Sequence, residues 1–393
     1  MSEVKFIVLT PKRAIHVGDV KAGNDFLGTL SYLPGSVLRG ALAEWLIQSG
    51  RESDILPIVQ RIRFGNLFLS ESESVYSLPF PMTALECKVR GGFQQVPKEQ
   101  RDKQGHGIRD SLLIALAYAE LERLGACFPV PMALRCRKCK GRMERVSGFY
   151  ARLPEGWSKV GVGQAMQTKV ALSRCRRVAQ EQILYRVIAL RPQVVFVGRV
   201  WLAGDSDWGL LREAVENVGV GALTTRGFGT ACLQESEACL PSVWERITQF
   251  NEQLREVWCD LAHLARQVKG NIPDEPVGTY FSVDLLAPAI LHDEHCLPTL
   301  ELTLQLNGEF LQPIFWATQP AFAGGWSTAW GLPKPTALAA AMGSVYVFRS
   351  EQSLSALLPH LEALEARGVG NCTDEGLGEI LICHPFHLEV KST

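Results

Sequence analysis

Two stretches of the chain read GVGALTTRGFG (residues 219–229) and GVGNCTDEGLG (368–378). Each is G-V-G, five residues, then an apolar residue between two glycines. Each follows an amphipathic run and precedes an apolar one. One such loop arises readily by chance. Two in the same local context predict a duplicated domain. The order helix, glycine loop, strand also excludes a dinucleotide fingerprint, which runs strand, loop, helix with different spacing. These glycines permit tight turns at positive φ. They also let backbone N–H groups approach a phosphate or a base. In the first copy Thr224, Thr225 and Arg226 add donors and a charge, so that loop is expected to bind. In the second Asp374 and Glu375 replace them, so that loop is expected to be structural or to face a protein.

The flanking pattern fits alternating strands and helices. Val4–Leu9 reads as a strand, and Pro34-Gly35-Ser36 opens a helix with Val37, Leu38, Ala41, Leu42, Trp45 and Leu46 on one face. Ser36 is the expected N-cap. With Arg39 nearby, that helix start is either an anion site or an ordinary capped helix. Ile183–Ala189 and Val194–Leu202 read as strands, Trp208–Asn217 as a helix and Thr230–Leu233 as a strand. Residues 241–268 form a long amphipathic helix, and 271–276 a break. Thr279–Leu286, Thr299–Leu306 and Ser344–Phe348 are expected strands, and Leu354–Arg367 a helix. The expected division is an N-terminal domain over 1–240 with a basic insertion at about 87–150, a helical connector over 241–275, and a C-terminal domain over 276–393. The class is α+β.

With 393 residues, 47% of them hydrophobic, there is material for two ordinary domains. There is no 18-residue apolar run and no signal-peptide pattern at MSEVKFIVLT, so the expected location is cytoplasmic. The net charge of −1 hides an asymmetry. Residues 1–199 hold 30 Lys and Arg against 17 Asp and Glu, whereas 200–393 hold 10 against 24. Within 135–199 the count is 15 against 3. Such a segment suits a polyanion. Arg174, Arg176 and Arg177 beside a strand-forming run form either a phosphate-contacting strip or a solvated face. Tyr185, Phe149 and Tyr150 are candidates for base stacking or for the core. The acidic half suits a basic protein partner or plain solubility.

Of the 11 cysteines, Cys232, Cys259 and Cys383 sit in apolar runs and read as small buried hydrophobes. Cys136-Arg137-Lys138-Cys139, followed by Lys140-Gly141, has the form of a metal knuckle. A tetrahedral structural zinc needs two more ligands. Cys87 and His106 are the expected pair, with Cys127 as competitor. The basic setting does not suit a thioredoxin-type redox motif. No HExxH, P-loop or GxSxG motif occurs. His16, near Asp19, Lys21 and Asp25, is the one loop histidine to weigh for acid–base work, and its plain reading is polar surface. His292-Asp293-Glu294-His295 reads as a polar loop.

YLPGSVLRGALAEWL (32–46) resembles the helix start of the repeat-associated mysterious proteins (RAMPs) of CRISPR systems, and GVGALTTRGFG resembles their glycine-rich loop. Cys87-Lys88, HGIRD (106–110), the knuckle at 136–139 and SRCRRVAQEQILY (173–185) resemble the type III-D effector subunit of that superfamily. So do GSVYVF, GVGNCTDEGLGEILICHPFH and GWSTAWGLPKP in the C-terminal half. The resemblance implies two ferredoxin-like, RRM-related domains with a zinc-knuckle insertion. It implies a non-catalytic subunit that binds CRISPR RNA, lies near the 5′ end of the guide and touches target RNA indirectly. The implied partners are a Cas10-type large subunit and backbone RAMP subunits. The implied RNA-contacting residues are Ser36, Arg39, Arg174, Arg176, Arg177, Thr224, Thr225 and Arg226, with Lys334 of the GLPKP loop. Two enzymatic alternatives follow from the same resemblance. One is metal-dependent cutting of target RNA by Asp25, and the other a Cas6-like guide-processing activity of His16.

Overall fold

The structure, a computed structural model, describes residues 3–390 apart from 19–25, 129–131, 162, 173–174, 177, 193, 269–271 and 328–330. Asp25, Arg174 and Arg177 lie outside the described residues. The first sheet begins with β1 (Glu3–Pro11), helix α1 (Gly35–Gln48) and β2 (Arg63–Ser70). A lobe follows, with β3 (Ala84–Cys87), α2 (Leu112–Arg123) and β4 (Met143–Arg145). A long hairpin comes next, β5 (Gln164–Leu172) with β6 (Ala179–Leu190). The chain then returns to the first sheet through β7 (Val195–Leu202), α3 (Asp205–Val218) and β8 (Ala231–Glu235). The long helix α4 (Val243–Arg266) leads to β9 (Thr279–Leu285), β10 (Phe315–Ala317), a ribbon of β11 (Pro320–Ala323) with β12 (Ala337–Ala340), β13 (Val345–Ser350), α5 (Leu354–Arg367), β14 (Ile380–Ile382) and α6 (Pro385–Glu389).

The first sheet runs β8-β1-β7-β2 and the second β14-β9-β13-β10, antiparallel throughout. These are the same order: the first and third strands of each unit sit side by side in the middle. In both, a helix (α3 or α5) leads through a glycine loop into the last strand. The copies differ after the first strand. Helix α1 follows β1, whereas two small hairpins fill the path from β9 to β10 and no helix lies there. Thr299–Leu306 is therefore not one strand but two pieces, Pro298–Thr299 and Leu304–Leu306.

Side-chain alternation explains both faces of the first sheet. Ile7 and Leu9 join Leu38, Leu42 and Leu46 of α1 and Leu211 and Val215 of α3 in one core. Val8 and Val197 lie in a separate cluster. Helix α4 opens with a complete capping box, Ser242 with Glu245. Its Ile247, Phe250, Leu254 and Trp258 join Leu357 and Leu361 of α5 and the β9 and β13 side chains in the second core. The Asn251 amide bonds both the N–H and the carbonyl of Tyr280, completing β9 where β14 no longer pairs with it. Helix α2 was not expected. Its Leu113, Leu116 and Ala117 belong to the same second core, so the insertion is anchored by an apolar helix as well as by its cysteines.

Two buried ionic clusters hold the units together. Arg199 on β7, 3% exposed, reaches Glu365 of α5 at 3.0 Å and Glu379 at 3.0 Å. Arg246 of α4 clamps the Glu365 carboxylate at 2.9 and 3.0 Å and donates to the Ile382 carbonyl. Glu379 also accepts from the backbone and side-chain N–H groups of Asn66 on β2. Burial opposes the Glu365 charge, but Arg246 and Arg199 hold its pKa below the usual value. In the second cluster His387 of α6 lies between Asp110 of the lobe (2.9 Å) and Asp284 of β9 (2.7 Å). Burial alone would lower its pKa, but the two carboxylates raise it to about 10.

Two outcomes follow. Removing one partner from a buried pair leaves an uncompensated charge, so Arg199→Ala is expected to cost about 3–5 kcal/mol in chemical denaturation. Because the folded pKa of His387 lies above its ordinary 6.5, its contribution is fully present below that pH. It is lost as pH rises towards about 10. Urea midpoints of the wild type should therefore fall across that window, and His387→Gln should start lower and flatten the slope.

Candidate functional site

The first glycine loop has a defined shape. Gly219, Gly221, Gly227 and Gly229 take φ of 80°, 83°, 85° and 80°, and Leu223 takes 62°. The second loop repeats this residue for residue at Gly368, Gly370, Gly376, Gly378 and Cys372. At Gly229 and Gly378 any Cβ would run into the facing carbonyl, of Val220 or Val369. Those carbonyls belong to the residues whose own N–H groups bond back to the same glycines, at 2.8 and 2.9 Å. The repeat is thus fixed by backbone closure, and the five residues between the glycine pairs remain free to diverge.

The first loop sits against the β5–β6 hairpin. Ile15 pairs with Leu190 and His16 with Ala222, so one short segment joins hairpin to loop. His16 is 4% exposed and its Nδ1 bonds the Ile188 carbonyl at 2.8 Å. The ring clips the hairpin in place; it is not polar surface. Above it Thr225, Arg226 and Gly227 are exposed, and the Arg226 guanidinium donates to the Tyr185 hydroxyl at 2.7 Å. Lys169 lies over the Phe228 ring at 5.1 Å, and Arg186 is exposed on β6. A Cβ on Gly227 would meet the Arg13 guanidinium. Cations from three separate segments, Arg13, Lys169 and Arg226, converge here beside a phenol, which is a surface for an anion.

The second loop faces inward. Arg39 of α1 pairs with Asp374 at 3.1 Å and Glu375 at 3.6 Å, and Lys334 pairs with Glu375. A Cβ on Gly376 would strike the Gly35 backbone. The N-cap of α1 is Pro34, not Ser36, and the Gly35 N–H is accepted by Asn66 at 3.2 Å. The anion expected at this helix start is therefore the protein's own acidic loop.

In the lobe, one ligand atom from each of Cys87, His106, Cys136 and Cys139 lies within 4.8 Å of the others. Cys87 Sγ stands 3.4 Å from both His106 Nδ1 and Cys139 Sγ. Tetrahedral bonds of ~2.3 Å to sulfur and ~2.0 Å to nitrogen put ligand atoms roughly 3.5–3.8 Å apart, so this donor set fits a metal ion. Lys140 turns the knuckle at φ 58°, and Lys140 N–H closes it on the Cys136 carbonyl at 2.8 Å. Burial would raise the Cys136 thiol, but hydrogen bonds from Cys139 and its neighbours lower it to about 6. Cys127 is exposed and outside the cluster.

Residues 162–385 match the family described as CRISPR-associated protein (Cas_Cmr3). The chain belongs to the Cas_Cmr3 family. No curated protein matches it. Among solved structures, a chain of the type III-B Cmr-beta complex bound to cognate target RNA is similar at 13% identity. The similarity covers 87% of this chain and 86% of that one, with a TM-score of 0.41. A chain of the Csm3-Csm4 subcomplex of the type III-A CRISPR-Cas interference complex is similar at 14% identity over 88% and 94%, with a TM-score of 0.35. At such TM-scores these likenesses carry no weight.

The Cas_Cmr3 match takes in the hairpin, both glycine loops and the second sheet, and leaves out α1 and the lobe. Of the residues expected to touch RNA, Thr224, Thr225 and Arg226 gather beside the hairpin. Arg176 is exposed at the hairpin end. Arg39 and Lys334 are spent on Asp374 and Glu375, and Ser36 lies in the first turn of α1. Phe149 and Tyr150 are core residues, and Tyr185 alone of the three aromatics borders the surface. Cys383 is buried as expected, Cys232 partly so, and Cys259 is exposed because it falls on the outer side of α4. Arg13 and Lys169 were missed. The signal for Lys169 lay in the excess of cations over 135–199; Arg13 carried none.

Proposed function

We propose that this Cas_Cmr3 chain is a non-catalytic, RNA-holding subunit of a type III CRISPR effector ribonucleoprotein of the III-D kind. It is built of two ferredoxin-like RAMP domains. The observation that carries the reading is the convergence of Arg13, Lys169 and Arg226 on an exposed glycine loop within the matched region. Phosphates are held by these cations, and Tyr185 offers a ring beside them. The guide is held near its 5′ end. The outer faces meet a Cas10-type large subunit and backbone RAMP subunits. Buried His16, with its ring nitrogen on a carbonyl, does not support a Cas6-like reading. The Cys87, His106, Cys136 and Cys139 cluster holds a structural zinc, which ties β3 to the knuckle and stiffens the lobe.

Lys169→Ala with Arg226→Ala is expected to weaken guide binding about tenfold or more at moderate salt and to reduce the salt slope by roughly 1.4. Filter binding over a salt series measures both, and an unchanged slope would refute phosphate contact here. Cys136→Ser should abolish the zinc found by elemental analysis of the purified chain. It should also lower the thermal midpoint, and EDTA treatment of the wild type should do the same.

A further inference from the structure

The lobe carries a second cationic surface that shares no residue with the hairpin surface. Residues 135–145 (RCRKCKGRMER) hold six cations and one acid. Arg135, Arg137, Lys138, Lys140, Arg142 and Arg145 are all exposed. The knuckle explains the arrangement. Its buried Cys136 and exposed Cys139 close on Cys87 and His106, and the residues between and around them stand outward.

Arg145, at the end of β4, also lines a groove of about 420 Å3 between the lobe and edge strand β10. That volume falls in the roughly 300–1,000 Å3 range of small-molecule sites. The opposite wall is Phe315 to Thr318. Trp316 is 52% exposed there. Thr83 also lines the groove; it is 3% exposed, and its hydroxyl has no partner among the described residues. An occupant must therefore bring negative charge for the knuckle, a flat face for the indole and a polar group for the floor. An acidic peptide brings charge and backbone polar groups, but no flat ring at every residue. A nucleotide supplies all three.

We propose that this groove takes an unpaired nucleotide of a single-stranded RNA. The base lies against Trp316, its phosphate meets Arg145, and the neighbouring phosphates run over Arg142 and the knuckle cations. The proposal rests on the reading of the chain as an RNA-holding subunit and adds a second RNA path to it.

The test uses the full-length chain and a short, fluorescein-labelled oligouridylate carrying 5-iodouridine. Stacking on an aromatic side chain contributes about 1–3 kcal/mol per base, so Trp316→Ala should weaken binding roughly tenfold. Arg142→Gln with Arg145→Gln should reduce the salt slope by roughly 1.4. Photocrosslinking should yield a peptide containing Trp316 in the wild type and in the Lys169→Ala, Arg226→Ala variant alike. If the groove variants bind as the wild type while the hairpin variant is weakened, the groove proposal falls and the functional reading stands. If no variant changes binding, both fall. If polyglutamate displaces the RNA from the hairpin variant, but Trp316→Ala leaves its own affinity for RNA unchanged, the patch serves an acidic protein and the proposal is overturned.

Discussion

The most heavily shared contact between the two halves of this molecule is the Glu365 carboxylate. It is buried, and burying a carboxylate alone is prohibitive. Arg199 comes to it from the first sheet, Arg246 from the linking helix, and the Ile382 N–H from the last strand of the second sheet. Glu379, just before that last strand, repeats the device with Arg199 and Asn66. Such a cluster contributes little net stability over an apolar one of the same shape. What it does contribute is selectivity. A rotated or slipped packing of the two sheets would strand four charges without water.

The duplicated loops show how one backbone serves opposite ends. Their φ angles agree position by position, and the same turns close in each. At the tip, Thr225 and Arg226 of one copy correspond to Asp374 and Glu375 of the other. The acidic copy satisfies Arg39 and Lys334 inside the chain, and the basic copy has no such inner partner among the described residues except Tyr185. Electrostatics, not shape, separates the loop packed inside the chain from the exposed one here.

Much of this was legible beforehand. The repeat followed from spaced glycines, because the positive φ they permit is a local requirement. The gathering of Cys87 and His106 beside Cys136 and Cys139 followed from the knuckle, because a pair of thiols at that spacing calls for two more donors. Leu354–Arg367 was read to its ends. The failures were of tertiary origin. Helix α2 was hidden because its apolar residues serve a core supplied by a distant helix, α4. The role of Arg39 was hidden because its partners lie more than three hundred residues along the chain. Ser36 was misjudged as a cap because Asn66, from another strand, already fills that place. The cation Arg13 comes to the surface only through pairing that brings residues 12–16 beside the loop.

The loop of the second unit rests on the helix start of the first, and between β9 and β10 the second unit has no helix of its own. A contact of this kind is directional, since the two surfaces that meet are unlike. Repeated without change, it would generate an open-ended row. The second unit offers no such helix start of its own, so within this chain the contact is made once and runs one way.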